Sequence, residues 1–408
     1  MAKWPRATHD AQVWNNCWLS AAFEADHVED YSFDRPGGVN STTRRALLYK
    51  ACVTGKSAVR LTVLVALIVQ QGVRYWFFMD YHKTRTIIHH RPGPCRYLDG
   101  ADGGSEDLTV LDNGLTFISS GFCSWTRGRI LLFDFNQLDS PSHEVKELRI
   151  TSSIRDLSHS SFHGMSVWQD STTGEITLMV INHAGPEDHI EVFKFQKESQ
   201  TLRHTDSITS PKLTNMNDLV MTSDRTFYIT KYTTLRDYLQ LELLLMLKYG
   251  EILYYDGRDF RSVAQGLHLP NGINVSPDKR YLYVSEFGRK QLKSYRIVDK
   301  NLEHVDDLFL NTLVDNIEID KESGDLWVGC HPIHYHLMEY SSLGPRSRMP
   351  SQILKVKTSE GKFTEAVEVF RDSGSELTGS TVASVYQGKM IVGTLAYQLM
   401  VCDLVYTD

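Results

Sequence analysis

Five side chains that carry hard oxygen atoms recur at wide intervals along the chain. They are Glu106, Asn217, Asn271, Asp315 and Asn316. Calcium takes about six to eight oxygen ligands from carboxylates, amides and carbonyls, whereas zinc prefers imidazole and thiolate. If the fold brings these residues together, they predict a calcium site. Asn and Asp before a strand are also common turn residues, and for any one position that alternative stays open.

Two aspartates, Asp107 and Asp218, directly follow two of these positions. We expect them to lie further along the same channel. Two carboxylates that lie close together repel each other unless a cation neutralises them, so a second, structural cation is one solution.

Two histidines, His163 and His183, begin and end one pair of predicted strands. A lone histidine is more often structural than catalytic. Two imidazoles beside a metal predict a general base, in which one ring takes a proton from water and the other orients the first.

A third group of histidines forms the run His331-Pro-Ile-His-Tyr-His336, which resembles a metal-binding segment. Alternate spacing at a strand edge favours surface histidines over a zinc site. We interpret His82, His89 and His90 in the same way.

Short β-strands must position these residues, because from Glu106 onward alternating apolar runs are separated by Gly, Asp, Asn and Ser. One pattern, a polar start followed by further strands, occurs six times. The copies begin at Ser105, His163, Asn217, Asn271, Asp315 and Ser380. From Glu106 to Ser380 there are 274 residues over five intervals, about 55 per repeat, enough for a four-stranded blade. A parallel β-helix has a shorter period, and a β-sandwich would not repeat the polar start.

The predicted fold is therefore all-β, a six-bladed β-propeller with a central calcium-containing tunnel. Blades pack radially, so equivalent positions of all blades lie equally far from the axis. We expect the starts of the innermost strands to form one ring. Its members would be Glu106, His163, Asn217, Asn271, Asn316 and Ser380.

An uncharged apolar run, Leu61–Val69, follows a basic segment near the N-terminus. It reaches membrane-spanning length only if it continues to Phe78. The pattern, with no small-residue cleavage site, predicts an uncleaved signal-anchor over 56–80, and a buried helix of a soluble protein is the alternative. The other predicted divisions are an extension of unassigned role (1–55), a linker (81–94) and the propeller domain (95–408). The anchor would hold the domain at a membrane or lipid surface in the ER lumen or outside the cell, with secretion as the alternative.

Cys95 lies just before the first blade and Cys402 lies in the last strand, the two places that a closed propeller brings together. They predict a disulfide in an oxidising compartment, while Cys330 is expected to be a buried free thiol. The leucine-rich insertion Asp237–Lys248 predicts a helix that caps the channel and faces lipid or a substrate pocket. A formal charge of -7 without a basic face excludes nucleic acid and favours a small molecule or metal as partner.

Several long motifs, in order, make the chain from about Cys95 to Leu404 resemble the paraoxonase/arylesterase family. They are Gly104-Ser-Glu-Asp-Leu108, Asn271-Gly-Ile-Asn-Val-Ser-Pro-Asp278, Asn311-Thr-Leu-Val-Asp-Asn-Ile317, Ser323-Gly-Asp-Leu-Trp-Val-Gly-Cys-His-Pro332 and Gly379-Ser-Thr-Val-Ala-Ser-Val-Tyr386. The resemblance implies a calcium-dependent hydrolase of lactones and aryl esters, with phosphotriester activity in some members. Calcium would stabilise the oxyanion while a base-activated water attacks.

The resemblance also implies how the candidate residues divide between two calcium ions. The catalytic ion would take Glu106, Asn217, Asn271, Asp315 and Asn316, and the structural ion Asp107, Asp218 and the carbonyl of Met165. His163 and His183 would form the histidine dyad, and Cys95 and Cys402 the disulfide. Ser380 then leaves the ring of ligands and lines the pocket. Whether the base is the dyad or a calcium-binding carboxylate stays open.

Two departures from the family pattern affect these expectations. The segment Gly121–Gly128 is shorter than the family's loop over the active site, which leaves substrate preference open, and the 55-residue extension is additional. Two other functions remain: a non-enzymatic paraoxonase-like membrane chaperone or assembly subunit, and a sugar lactonase of the gluconolactonase type.

Two segments match the pattern for N-glycosylation. Asn274-Val-Ser276 matches by pattern only, because it lies within an inner strand, and Asn40-Ser-Thr42 is usable only in a lumenal tail.

Overall fold

The computed structural model describes residues 41–83, 87–122, 127–138, 144–185, 187–234, 239–344, 347–396 and 398–405. The chain divides into two compact units, Met1–Ile68 and Val69–Asp408. Some residues discussed above lie outside the described ones, namely Asn40, Cys123 and the first two residues of the predicted insertion, 237–238.

The first helix, α1, covers Ser41–Phe78 and contains the predicted apolar run. Its part Val59–Phe78, with a mean hydropathy of 1.4, is long and apolar enough to cross a membrane by length and composition. Leu61, Leu64 and Ile68 are exposed, unlike the side chains of a buried core helix. At the other end of α1, Phe78 is buried in a cluster with Ile333.

In the described part of the chain, twenty-five strands form six sheets, which are the six predicted blades. From the innermost strand outward, blade 1 consists of β2 (Asp107–Val110), β3 (Leu115–Ser120), β4 (Arg129–Asp134) and β5 (Lys146–Glu147). Blade 2 consists of β7 (Phe162–Gln169), β8 (Ile176–Asn182), β9 (His189–Gln196), β10 (Thr201–Ile208) and β6 (Arg149–Thr151). Blade 3 consists of β11 (Met216–Met221), β12 (Phe227–Lys231), β13 (Gly250–Tyr255) and β14 (Phe260–Leu267). Blade 4 consists of β15 (Pro270–Val275), β16 (Tyr281–Glu286), β17 (Gln291–Val298) and β18 (Asn301–Phe309). Blade 5 consists of β19 (Leu313–Ile319), β20 (Leu326–His331), β21 (Ser351–Ser359) and β22 (Lys362–Asp372). Blade 6 consists of β23 (Ser380–Tyr386), β24 (Lys389–Thr394), β25 (Met400–Asp403) and β1 (Cys95–Tyr97).

Each predicted repeat start lies at or beside the innermost strand of a blade, so the six-fold pattern in the sequence is confirmed. From the innermost strand outward the strands of each blade follow chain order, except that β1 is the outermost strand of blade 6 and β6 that of blade 2. Neighbouring strands run antiparallel. The exception is β6, which pairs parallel with β10 and gives blade 2 a fifth strand that the sequence did not predict. Apolar residues on both faces of the second strands pack between neighbouring blades, which explains their nearly continuous apolar runs.

Two glycines let neighbouring innermost strands approach each other. A Cβ atom on Gly164 would lie 2.4 Å from the carbonyl oxygen of Asn217, and one on Gly272 would lie 2.5 Å from that of Asp315. Only glycine allows so close an approach of two backbones. These contacts therefore position Asn217 and Asp315 beside the axis.

Two short helices interrupt the blades on the side of the axis that carries the candidate site. They are α2 (Leu239–Leu245), between β12 and β13, and α3 (His334–Leu343), between β20 and β21. Helix α2 confirms the helix predicted for the insertion. Leu243 of α2 and Leu337 of α3 pack around Phe287, which lies in a 3₁₀ turn, Phe287–Arg289.

The ring closes through β1, which pairs with β25 so that Cys95 is opposite Cys402. The two cysteines form the predicted disulfide, 307 residues apart in sequence, and Cys330 is a buried free thiol as predicted. The disulfide joins the two ends of the propeller at the seam where the last blade is completed.

We expect Cys402→Ser to lower the free energy of unfolding by about 2–5 kcal/mol, because a very long loop in the unfolded chain is no longer cross-linked. Denaturant unfolding monitored by tryptophan fluorescence would measure the loss. The double variant Cys95→Ser/Cys402→Ser should lose no more than the single variant, and a reducing agent should weaken only the wild-type chain. A much larger loss in the double variant would show that packing of the sulfurs, rather than the cross-link, is responsible.

Candidate active site

Four buried oxygen atoms at the starts of four innermost strands have no hydrogen-bond partner among the described residues. They are Glu106 Oε2, Asn217 Oδ1, Asn271 Oδ1 and Asn316 Oδ1. A buried acceptor without a partner costs about 1–3 kcal/mol, and native proteins retain few of them. Four such atoms at the ends of inner strands in blades 1, 3, 4 and 5 indicate a ligand with positive charge. An all-oxygen donor set of this kind fits calcium.

Asn316 shows how these oxygens are oriented. Its amide nitrogen donates to Glu106 Oε1 at 2.9 Å and to the Glu106 carbonyl oxygen at 3.0 Å. The amide oxygen of Asn316 is thereby turned away from the hydrogen bonds and left free. The fifth predicted ligand, Asp315, uses Oδ2 to accept a hydrogen bond from His331 Nε2 at 2.7 Å.

The carboxyl groups around the axis are costly to ionise without a cation. Burial, reinforced by the negative charge of Asp315, raises the pKa of Glu106 to about 8. Burial and the neighbouring acids also raise the pKa of Asp107 and Asp218 well above the usual value. A bound cation would allow all of them to ionise.

The structure brings Asp107, Asp218 and Met165 to one cavity of about 440 Å³ bounded by the innermost strands. Asp107 accepts hydrogen bonds from the backbone amides of Leu108 and Met165 at 2.9 and 2.7 Å. Asp218 accepts from those of Leu219 and Ile273 at 2.7 and 2.9 Å. Each aspartate therefore bridges two neighbouring blades.

His163 and His183 form a hydrogen-bonded chain that ends on a carboxylate. His163 Nδ1 lies 2.9 Å from His183 Nε2, and His183 Nδ1 lies 2.8 Å from Asp188 Oδ1. Because the Asp188 carboxylate accepts the proton of His183 Nδ1, the Nε2 atom of His183 is an acceptor and His163 Nδ1 the donor. This leaves the lone pair of His163 on Nε2, which lies 3.4 Å from Glu106 Oε1. Burial lowers the pKa of His163 to about 4, so the ring is neutral near pH 7.

The sequence did not lead us to predict two residues of this arrangement, Asp188 and Phe122. Asp188, whose second oxygen accepts the backbone amide of Met216 at 2.8 Å, orients His183. Phe122 stacks on His163 with 3.7 Å between ring centroids. An acidic residue five positions after His183 was the available signal for Asp188. Nothing in the sequence of the loop indicated which residue would cover His163, and residues 123–126 lie outside the described part of the chain.

The prediction of surface histidines in the run 331–336 is wrong for two of them. His331 and His334 are both 1% exposed. The strand β20 ends at His331 and α3 begins at His334, so the alternate spacing does not continue along one strand edge. His331 bonds to Asp315, and His334 Nδ1 lies 3.1 Å from the carbonyl oxygen of Phe78.

Ser380, which the repeat geometry placed in the ring, has its hydroxyl in a different environment. Its Oγ accepts a hydrogen bond from the Gln352 amide at 2.9 Å and lies 3.2 Å from the carbonyl oxygen of Cys330. The sixth inner strand therefore presents its serine to blade 5 rather than to the other oxygens.

Comparisons with known proteins agree with the extent of the propeller. A family model described as Arylesterase matches residues 88–404. Human serum paraoxonase/arylesterase 1 is 39% identical over 321 residues, which cover 76% of this chain and 88% of that protein. Chicken serum paraoxonase/arylesterase 2 is 34% identical over the same shares of both chains. Mouse serum paraoxonase/lactonase 3 is 32% identical over 358 residues, 85% of this chain and 99% of that protein.

Proposed function

The chain belongs to the paraoxonase/arylesterase family, and from this premise we propose that it is a calcium-dependent hydrolase of lactones and aryl esters. The carboxylic ester hydrolase activity in the names of its relatives agrees with the site. The observation that carries the proposal is the set of four unpartnered buried oxygens, one of them on Glu106, whose other oxygen lies 3.4 Å from the free nitrogen of the histidine pair.

Two calcium ions would be held by the residues described above. The catalytic ion would bind Glu106, Asn217, Asn271, Asp315 and Asn316, and the structural ion would bind Asp107, Asp218 and the carbonyl of Met165. The unpartnered oxygens support the first set, and the raised pKa of both aspartates supports the second. Calcium at the first position supplies a Lewis acid that stabilises the oxyanion of an ester or lactone under attack.

The histidine pair would act as the base. His163 Nε2 takes a proton from water, and the bond from His163 Nδ1 to His183 spreads the positive charge toward Asp188. Phe122 packs flat against the imidazole of His163 and excludes solvent from that face of the ring. Burial keeps His163 in the neutral form that can accept a proton.

We expect Asp188→Asn to lower kcat for phenyl acetate about 10- to 100-fold with little change in KM, because the charge that stabilises protonated histidines is lost. Asparagine has one acceptor oxygen where Asp188 has two, so a bond to His183 Nδ1 can be kept only if the backbone amide of Met216 loses its acceptor. Steady-state kinetics with saturating calcium would measure the change. A variant whose KM rises while kcat is unchanged would contradict this role for Asp188.

A location at a membrane or lipid surface completes the proposal. Val59–Phe78 would serve as an uncleaved signal-anchor that holds the propeller in the ER lumen or outside the cell. The disulfide between Cys95 and Cys402 fits an oxidising compartment.

The test is hydrolysis of phenyl acetate and of a series of aliphatic lactones by the purified full-length chain in detergent. The proposal expects turnover that a chelator abolishes and that added calcium restores. If the folded chain gives no calcium-dependent turnover with any of these substrates, the proposal is wrong.

A further inference from the structure

Four arginines line one cavity of about 510 Å³ where the outer strands of blades 1 and 2 meet, outside the candidate active site. They are Arg127, Arg129, Arg149 and Arg155. Among the described residues, two acidic ones, Glu147 and Asp156, line the same cavity. The lining side chains themselves therefore carry an excess of positive charge, and two further carboxylates, Asp102 and Glu191, pair with two of the arginines from outside the cavity. The strand β6, which the sequence did not predict, contributes Arg149 to it.

The arginines are not fully used by neighbouring acids. Arg127 pairs with Glu147 at 2.5 Å, and Arg155 pairs with the buried Glu191 at 3.3 Å. Arg129 pairs with the exposed Asp102 at 2.6 Å and lies 3.9 Å from Glu147, and its buried Nε has no hydrogen-bond partner among the described residues. Arg149 has no ion pair or side-chain hydrogen bond within the described parts of the chain. Arg149 is therefore the arginine whose donors are unpaired among the described residues, and the other three arginines each pair with at least one carboxylate.

We propose that this arginine cavity binds a phosphate monoester. The planar guanidinium group donates two parallel hydrogen bonds to a phosphate, and several arginines together can hold a dianion. The cavity volume leaves room for the organic group of the ester beside the phosphate. This site goes beyond the proposed hydrolysis, which uses none of these residues.

Such an ester can be a soluble metabolite or the headgroup of phosphatidic acid, the phospholipid whose phosphate is a monoester. Both present the same dianion to the arginines, and they differ in the apolar group next to it. Leu148, Ile150 and Leu157 contribute apolar surface to the cavity. The experiment must therefore separate the two sources.

The test is equilibrium dialysis of the purified full-length chain in detergent against labelled inorganic phosphate at low ionic strength. We expect saturable binding that Arg149→Gln weakens at least ten-fold, because Arg149 is exposed and unpaired and its loss should leave the fold intact. The matched control is Arg225→Gln, an 84%-exposed arginine side chain beside Asp224 and outside the cavity, which should stay within two-fold of the wild type. Arg155 is unsuitable because its loss would remove the arginine that pairs with the buried Glu191. Arg127→Gln provides a second variant and should also weaken binding.

Competition then identifies the source of the ester. If short-chain phosphatidic acid displaces labelled phosphate at much lower concentration than glycerol phosphate, the site takes a lipid headgroup. If the two compete equally, it takes a soluble ester. No saturable binding by the wild type, or equal binding by Arg149→Gln and the wild type, would overturn the proposal whatever the hydrolase assay shows.

Discussion

Glu106→Gln should reduce calcium-dependent hydrolysis on the order of 1,000-fold, the largest loss that we expect from one substitution. Among the predicted ligands, Glu106 is the carboxylate that has a buried oxygen without a hydrogen-bond partner among the described residues. Glutamine keeps the size of the side chain and an oxygen that can accept from Asn316. It removes the negative charge that attracts the cation, so the site should lose calcium and with it the stabilised oxyanion.

The fold should survive this change, because the metal-free carboxyl, with a pKa of about 8, is already neutral at pH 7. Glu318→Gln is the matched control. Glu318 is a glutamate on β19 whose pKa burial also raises well above the usual value, but it lines the cavity with Asp107 and Asp218 and not the histidine site. Turnover of phenyl acetate at saturating calcium would be compared for both. The assignment of Glu106 as a calcium ligand would be contradicted if Glu106→Gln kept activity within ten-fold of the wild type. It would also be contradicted if Glu318→Gln lost as much activity as Glu106→Gln.

The repeat pattern predicted the fold because every blade repeats the same local rules. The polar start, the alternating second strand and the turn residues recur at Glu106, Asn217 and Asn271, and radial packing then brings those starts to one axis. The disulfide followed from the same closure. None of these inferences needs side-chain detail.

The sequence predicted less of the candidate active site than of the fold, because the remaining residues of the site are positioned by local contacts that do not repeat from blade to blade. Asp188 lies in the connection after His183, and its role is visible only once the two side chains are 2.8 Å apart. His331 was placed on the surface because its neighbours suggested one continuous strand edge. The helix that begins at His334 breaks that edge and buries both rings.

Ser380 shows the limit of the repeat argument itself. Equivalent positions in six blades share a distance from the axis but not a hydrogen-bond partner. Where the backbone amide of Gln352 lies within 2.9 Å, the serine hydroxyl bonds to it. Repeat position therefore predicts which residues come near the axis, and only the contacts decide which of them remain available to a ligand.

The second large effect should appear in stability when calcium is removed. The pKa of Glu106 is about 8 in the folded metal-free chain and near 4.5 in the unfolded chain. Below about pH 4.5 both states are protonated and the folded state loses nothing. As pH rises from there to about 8, the unfolded chain ionises and the folded chain does not, so the free energy of unfolding falls. The raised pKa values of Asp107 and Asp218 act in the same direction, whereas buried histidines such as His163, whose pKa is lowered from 6.5 to about 4, act in the opposite direction below about pH 6.5.

We therefore expect the metal-free chain to lose about 5–10 °C in Tm between pH 5.5 and pH 8, and the calcium-loaded chain to show a much smaller change because the cation compensates the carboxylates. Metal should be removed at pH 8 and the protein exchanged into calcium-free buffers before scanning calorimetry, since chelators weaken in acid. Glu106→Gln lacks one of the titrating groups, so its metal-free Tm should depend less on pH than that of the wild type. A metal-free wild-type chain that is as stable at pH 8 as at pH 5.5 would show that these carboxyls are already compensated within the protein, and the case for cations on the axis would fail.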